Sequence, residues 1–195
     1  MKKVLIIGAG GIGSYFSEAL FDLIMKNQID LDGYEFYIAD MDSVEQKNVL
    51  YQNFTTEDLF NNKAKVIGDR YRLVYITEKI EEQHLAMYDM YVVCADNGRI
   101  RKEVFEHSKN FDKPFLDLRS EGRTIAFFTH EMSLDELNAT LNEETLDNSG
   151  SCQLKHEFEK GIIQVGNKII ALIGAQLFLN YIRQQPLLLS FIQRF

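Results

Sequence analysis

The sequence is poor in cysteine and proline and has no tryptophan. Its 195 residues include 2 Cys, 2 Pro and no Trp. Cys94 and Cys152 lie far apart and form no C-x-x-C pair, which excludes a disulfide framework and a zinc site built from cysteines. This cysteine usage is typical of a reducing compartment, so we expect a cytoplasmic protein.

Positive charge is also in deficit. Lys and Arg number 21 against 29 Asp and Glu, which gives a formal net charge of −8. An acidic chain disfavours broad binding to nucleic acid or to anionic membranes, so we expect neither as a partner. Any bound phosphate must be neutralised locally. The four histidines, at positions 84, 107, 130 and 156, have no metal-ligand spacing.

The chain has no long uninterrupted apolar run. Only four apolar residues separate Met1-Lys-Lys from the first glycine, too few for the core of a signal peptide. The stretch 162–182 is the longest apolar segment, but it carries polar residues that mostly share one side of a helix. They are Gln164, Asn167, Lys168, Gln176 and Asn180. We therefore predict a nearly buried helix with a narrow polar stripe, and not a membrane span.

A glycine-rich turn follows the first apolar strand. Residues 4–14 read V-L-I-I-G-A-G-G-I-G-S, and Asp40-Met-Asp42 closes the next apolar strand. Gly8 allows a tight strand-to-helix turn, Gly10 lets the backbone approach a pyrophosphate, and Gly13 lets the helix pack close to the sheet. The helix N-terminus then faces the anion. The pattern predicts a nucleotide site.

Strands alternate with helices over most of the chain, which predicts an α/β, Rossmann-like domain whose mostly parallel sheet has helices on both faces. The predicted strands are Lys3–Ile7, Glu35–Ala39, Leu73–Ile76, Met90–Cys94, Pro114–Asp117 and an antiparallel strand at Gly122–Phe128. The predicted helices are Gly11–Lys26, Asn62–Tyr71, Lys79–Met87, Arg99–Lys109, Gln153–Lys160 and Gln164–Arg183. Residues 43–56 are predicted as an extended loop or broken helical turns.

The length predicts a single domain over residues 1–195. Within it, residues 130–152 are predicted to form a polar loop that crosses from the sheet to the C-terminal helices. Residues 153–195 are predicted to form those helices and a short tail. The apolar tail, Leu187–Phe195, adds an edge strand or covers a partner.

The order of the polar residues after the strands resembles one enzyme superfamily. In chain order they are Asp40-x-Asp42, Asn48, Gln52, Lys65, Asp96-Asn97 and Arg101. With the glycine turn, residues 3–129 resemble the ubiquitin-activating-enzyme-like adenylyltransferases, the superfamily of ThiF and MoeB. A looser likeness extends to Ser151-Cys152 and the segment that follows.

The resemblance implies a ThiF/MoeB-type fold that binds ATP and Mg²⁺. In that family, the C-terminal carboxylate of a protein attacks the α-phosphorus to give an acyl-adenylate and pyrophosphate. The implied substrate here is the C-terminus of a ubiquitin-like protein or of a peptide. The resemblance also implies a homodimer or a heterodimer.

The same resemblance assigns a role to each residue. Asp40 accepts the ribose hydroxyls, and Asn48 orients the phosphates or the attacking carboxylate. Lys65 supplies a point charge to the polyphosphate, and Asp96 holds Mg²⁺ against the phosphates. Arg101, with Arg99, completes a positive rim. The implied nucleotide-binding set is Gly8, Gly10, Gly11, Gly13, Asp40, Asp42, Asn48, Gln52, Lys65, Asp96, Asn97 and Arg101, and the implied catalytic set is Asn48, Lys65, Asp96 and Cys152.

Three residues outside the nucleotide set leave alternatives open. Cys152 either forms a thioester with the acyl group or is a small residue near a helix start. Asp117 and Arg119 follow the fifth strand, either as a structural ion pair or with Arg119 reaching the site. Cys94 lies in an apolar strand and is predicted to fill the core.

The chain departs from the family at two arginines. Tyr51 stands where the family's Asn-Leu-x-Arg-Gln run has arginine, and tyrosine cannot reproduce the bidentate contacts of a guanidinium. Relatives also take an arginine from a segment before the first strand, whereas this strand begins at Lys3.

A nucleotide-binding subunit that is degenerate or completed by a partner is therefore one alternative function. A nicotinamide-dependent oxidoreductase is another, because the glycines and Asp40 suit NAD equally well.

Overall fold

The computed structural model describes residues 1–26, 33–141 and 165–195. Seven strands form one sheet in the order β3-β2-β1-β4-β5-β6-β7. They are β1 (Lys2–Ile7), β2 (Tyr34–Ala39), β3 (Val74–Ile76), β4 (Met90–Val93), β5 (Phe115–Glu121), β6 (Thr124–Thr129) and β7 (Ser190–Arg194). The first five strands pair in parallel, and β6 and β7 pair antiparallel. The predicted fold class is confirmed.

The described residues form seven α-helices. They are α1 (Gly11–Met25), α2 (Asn48–Tyr51), α3 (Lys63–Tyr71), α4 (Glu82–Leu85), α5 (Gly98–Phe111), α6 (Leu134–Ala139) and α7 (Gly166–Ile182). A 3₁₀ turn at Thr56–Asp58 follows α2. The broken helical turns predicted for residues 43–56 are therefore confirmed in α2.

Helices cover both faces of the sheet. Residues Val4 and Ile6 of β1 belong to one buried apolar cluster, with side chains from α1, α3 and α7. Leu5 and Ile7 belong to a second cluster, with side chains from α4, α5 and α6. Successive residues of a strand point to opposite faces, so a continuous apolar run is what a doubly covered parallel strand requires.

Several predicted boundaries differ from the structure. Strand β5 continues to Glu121, past the predicted end at Asp117, because its last residues pair with β6. Helix α6 lies in the segment predicted as loop, where Ser133 and Glu136 form a reciprocal capping box that starts a helix. The predicted helix Gln153–Lys160 lies outside the described residues.

The apolar tail forms an edge strand. Strand β7 pairs with β6, with Ile192 opposite Ala126, and Phe191 stacks on Phe127 at 5.8 Å between ring centroids. Of the two predicted alternatives for the tail, the edge strand is confirmed. None of the helices described is long and apolar enough to cross a membrane.

The sheet order reverses between β1 and β4. The chain adds β2 and β3 on one side of β1, then returns to place β4 on its other side. Loops diverge at such a point and open a crevice at the carboxyl ends of the strands. Gly8, Asp40 and Asp96 follow the ends of β1, β2 and β4, so the topology places them along one edge.

Close packing of α1 against the end of β1 depends on Gly13. A Cβ atom at Gly13 would lie 1.8 Å from the carbonyl oxygen of Gly8, which is backbone and cannot move aside. Gly33 is a matched contrast, because a Cβ there would meet no atom within 4 Å.

We expect Gly13→Ala to lower the free energy of unfolding by about 3 kcal/mol, since overpacking against rigid backbone displaces the helix. Gly33→Ala should change it by no more than about 0.5 kcal/mol. Urea denaturation followed by circular dichroism measures both variants. Equal midpoints for the two would contradict the packing argument.

Candidate functional site

The glycine turn brings the start of α1 against the end of β4. Gly8 has a φ of +96°, a conformation that L side chains rarely adopt, and a Cβ on it would lie 2.9 Å from the amide nitrogen of Ala95. Gly10 faces open space, its nearest neighbour being Gln52 Nε2 at 3.9 Å from an added Cβ. Helix α1 has neither a side-chain cap nor an acidic residue in its first turn. Its N–H groups and dipole are therefore directed at the crevice, as an anion requires.

Asp40 connects the glycine turn to the end of β2. Its Oδ2 accepts a hydrogen bond from the amide of Ala9 at 2.7 Å, and its Oδ1 accepts one from the amide of Asp42 at 2.9 Å. Burial raises the pKa of Asp40 above its ordinary value, and these two amides together with the charge on Lys63 oppose the rise. Each oxygen retains a further lone pair, so the carboxylate can still accept hydroxyl groups.

Lys63 is the lysine that the structure places at this edge. Its Nζ lies 3.2 Å from Asp42 Oδ2, and its side chain is only 11% exposed. Asn62 fixes the start of α3 on the end of β2, since its Nδ2 donates to the carbonyl of Asp40 at 2.9 Å. Its Oδ1 accepts from the amide of Lys65 and so caps the helix.

Lys65, predicted to bind the polyphosphate, points elsewhere. Its Nζ lies 2.6 Å from Asp69 Oδ2 and 5.3 Å from the ring centroid of Tyr75, and its side chain is half exposed. Two residues along a helix rotate a side chain by about 200°, so Lys63 and Lys65 cannot face the same crevice. Of these two lysines, the structure therefore places Lys63 beside Asp42 at the edge of the sheet. The sequence indicated that Lys63 lies on the inner face of α3, because Lys63 shares the 3–4 residue spacing of the apolar residues on that helix.

Asp96 and Asn97 lie three and four residues after the end of β4. Asn97 caps α5, its Oδ1 accepting from the amides of Arg99 at 2.9 Å and Ile100 at 3.3 Å. This cap fixes the turn that carries Asp96, and the predicted contact between Asn97 and the nucleotide stays a prediction.

Asp96 is exposed, yet the surrounding protein reduces its hydration. This loss of hydration raises the pKa of Asp96, and the charge on Asp42 adds to the rise. Its own backbone amide and the charges on Arg101 and Lys63 oppose it. Asp42, Lys63 and Asp96 thus share one electrostatic environment.

The described residues contain no group of three or more His, Cys, Asp or Glu side chains that could hold a metal ion. Mg²⁺ commonly takes only one or two carboxylates and completes its shell with phosphate oxygens and water. A nearby cation stabilises the ionised form of a carboxylate whose pKa is raised, as that of Asp96 is. The carboxylate of Asp96 therefore fits a Mg²⁺ ion that arrives with phosphates.

Arg101 does not lie on the rim, where the sequence predicted it. Its side chain is 8% exposed, and it forms an ion pair with the fully buried Asp117. It also donates to the carbonyls of Ala95 and Leu118. A buried carboxylate needs such partners, so Arg101 holds β4, α5 and β5 together. Arg99, the other predicted rim residue, pairs with Glu103 at 3.0 Å and is exposed.

Arg119 forms a second ion pair with the same carboxylate, that of Asp117. Its Nη2 lies 2.7 Å from Asp117 Oδ2, and its Nη1 donates to the carbonyl of Thr140 at 2.9 Å. Burial lowers the pKa of Arg119 to about 10. The structural ion pair is thus the alternative that the structure supports for Asp117 and Arg119.

The segment that contains Asn48 and Gln52 lies against α1. Asn48 is buried, and its Oδ1 accepts from the amide of Glu45 at 2.8 Å. The amide of Asn53 donates to Ser14 Oγ at 3.2 Å, which fixes the segment on α1. Gln52 Oε1 is buried beside Gly10 without a hydrogen-bond partner among the described residues. Gln52 is therefore placed next to the glycine turn, and its predicted contact with the nucleotide stays a prediction.

Two predictions concern the cysteines. Cys94 is 6% exposed within the apolar cluster around α1, which confirms its predicted core position. Cys152 lies outside the described residues.

The fold is an α/β fold of the doubly wound class, and the uncapped N-terminus of α1 lies where the order of its sheet reverses. The chain belongs to the ThiF family, whose family model matches residues 1–193. A comparison with curated proteins found no match.

Solved structures with the same fold include E. coli MccB with AMPCPP and MccA, at a TM-score of 0.70 and 19% identity, covering 99% of this chain and 63% of that one. E. coli MccB with ATP matches at a TM-score of 0.68 and 19% identity, with the same coverage. PaaA matches at 0.69 and 17% identity, covering 100% of this chain and 61% of that one. The chain thus spans less than two thirds of the length of these structures.

Removing the charge of Asp96 should stabilise the protein. The folded-state pKa of Asp96 lies above its ordinary value, so its ionisation lowers stability as the pH rises through the ordinary pKa, and the loss is complete above the folded-state pKa. We expect Asp96→Asn to raise Tm at pH 7, and the gain to disappear as the pH falls below about 3, where aspartate is protonated in both states.

Thermal denaturation across this pH range measures the effect. Asp22→Asn, an exposed aspartate paired with Lys26 on α1, is the control and should show no such gain. A lower Tm for Asp96→Asn at pH 7 would contradict the electrostatic account.

Proposed function

We propose that the chain is an ATP- and Mg²⁺-dependent adenylyltransferase that activates the C-terminal carboxylate of a ubiquitin-like protein or of a peptide. The observation that carries the proposal is the uncapped N-terminus of α1 at the glycine turn, with Asp40, Lys63 and Asp96 along the same edge of the sheet. Membership of the ThiF family supports it. So do the structures of MccB, described as a microcin C7 biosynthetic enzyme, with ATP and with N-formylated MccA.

In the proposed reaction, an oxygen of the substrate carboxylate bonds to the α-phosphorus of ATP, and the bond to the bridging oxygen breaks. The electron pair leaves with pyrophosphate, so no proton is transferred in this step. Such chemistry depends mainly on positioning and on neutralising the charge that develops on the phosphates.

Each residue of the proposed site has a separate role in this reaction. The amides of the glycine turn bind phosphate oxygens, and Asp40 accepts the ribose hydroxyls. Lys63 supplies the positive charge that the resemblance had assigned to Lys65. Asp96 would hold Mg²⁺, which when bound neutralises phosphate charge. Asn48 orients the phosphates or the incoming carboxylate through neutral hydrogen bonds.

Dependence on a partner subunit is a second candidate function, favoured by one observation. Tyr51 occupies the position of a family arginine, and the buried Arg101 and Arg119 are engaged with Asp117. Within the described residues, Lys63 is thus the cation that the structure places at the turn. A homodimer or heterodimer partner would then supply an arginine. Activity that appears only after mixing with a candidate partner would support this reading.

ATP–pyrophosphate exchange tests the main proposal. Incubation with ATP, Mg²⁺ and candidate small proteins or peptides should give an acyl-adenylate that mass spectrometry detects. The same spectra would show an adduct of Cys152 if this thiol takes the acyl group as a thioester. A change in NADH fluorescence on binding, with no exchange, would instead support the oxidoreductase alternative.

The choice of lysine gives a paired prediction. We expect Lys63→Met to weaken ATP binding by about tenfold or more, because a hydrogen bond to a charged group contributes about 1.5–3 kcal/mol. Lys65→Met should leave the Kd within about twofold, since its amine pairs with the exposed Asp69 and such pairs contribute little.

Calorimetric titration of ATP with Mg²⁺ into each variant checks this prediction. The two variants differ by two positions on one helix, so they are matched in charge and in size. A larger loss for Lys65→Met than for Lys63→Met would restore the original assignment.

A further inference from the structure

Two long helices begin next to each other at the crevice. A Cβ on Gly11, the first residue of α1, would lie 2.2 Å from Nδ2 of Asn167, the second residue of α7. The residue before α7 is Val165, whose side chain has no polar group to cap it, and the first turn of α7 holds no acid. Both helices therefore direct uncapped N-terminal ends to one region. Each such end carries about half a positive charge.

Among the residues that the structure describes, buried polar side chains at this junction have no hydrogen-bond partner. Asn167 is 2% exposed, and neither Nδ2 nor Oδ1 has a partner among the described residues. Ser120, near the end of β5, is 9% exposed, and its Oγ is likewise unpaired. A Cβ on Gly166 would lie 2.6 Å from this Oγ, so the hydroxyl lies against the first residue of α7. Buried polar atoms without partners are costly, and their presence indicates a group that the described residues do not include.

We propose that the N-terminal end of α7, with Asn167 and Ser120, receives the carboxylate end of the acyl substrate beside the nucleotide. This inference rests on the proposed function, since adenylation requires a phosphate and a carboxylate side by side. The end of α1 serves the phosphates, and the adjacent end of α7 serves the second anion.

The chemistry of the junction suits a peptide-like carboxylate. Asparagine donates and accepts, and serine does both, so the pair can bind an amide and a carboxylate of the last residue. Neither carries charge, and the positive potential comes from helix backbone. This positive potential matters more in a chain that has Tyr51 in place of a family arginine, because that arginine's charge is missing.

Thermal shift with a minimal substrate end tests the proposal. The probe is N-acetylglycine, which has one amide and one carboxylate, and its neutral counterpart is N-acetylglycinamide. Wild-type protein saturated with ATP and Mg²⁺ should gain Tm with the acid and much less with the amide. Asn167→Asp should lose the acid-dependent gain, because its own carboxylate occupies the site.

Asn180→Asp is the matched control. It makes the same substitution on the same helix, 13 positions away and thus about 20 Å along the axis. It should keep the full response to N-acetylglycine. Equal responses of Asn167→Asp and wild type, or equal effects of acid and amide on wild type, would overturn the proposal.

Two further outcomes are decisive. If Asn167→Asp does not fold, Asn167→Ala replaces it in the test; it must retain less of the acid response than wild type, or the proposal is wrong. Failure of the proposed function itself is visible separately, as an absence of any Tm gain with ATP and Mg²⁺. In that case N-acetylglycine, N-acetylglycinamide and the variants are compared in nucleotide-free protein. A Tm gain that depends on the acid and on Asn167 would still support the α7 site, and its absence would overturn it.

Discussion

The close approach of α1 to β1 and β4 is the constraint on which the rest of the structure depends. Gly8 brings the turn within contact of Ala95, and Gly13 lets the first turn of the helix rest on the carbonyl of Gly8. A side chain at either position would push the helix outward. The uncapped N–H groups of α1 would then no longer face the crevice where the sheet order reverses.

Around this turn, negative charge exceeds positive charge. Asp40, Asp42 and Asp96 lie near one lysine, Lys63, and the pKa values of Asp40 and Asp96 are raised. An excess of carboxylates is unfavourable for the protein alone and becomes favourable when a divalent cation arrives with phosphates. The side chain of Asn62, bonded to the carbonyls of Asp40 and Asp42, keeps this arrangement in place. The acidity of the chain and an anionic ligand are therefore compatible.

The fold was predictable, because the apolar strands and the glycine turn are each determined by residues that are close together in the sequence. The choice between Lys63 and Lys65 depended on which face of α3 packs against the sheet. The spacing of the apolar residues indicated that face, whereas the position of a lysine in a motif did not. The place of Arg101 could not be derived, because its partner Asp117 lies on another strand and becomes buried only when β5 joins the sheet. A charged residue in a motif has no fixed role until its partners are known.

Neutral and backbone donors can replace arginines at such a site. A guanidinium on a long side chain must be ordered when it binds, whereas the N–H groups of α1 and α7 are already fixed by their helices. The junction between Gly11 and Asn167 holds the two helix ends in register, so phosphate and carboxylate would meet at a set spacing. In the proposed reaction, a chain with Tyr51 in place of the family arginine would therefore use groups that the fold holds rigidly. The proposed carboxylate site depends for this reason on the contact between α1 and α7.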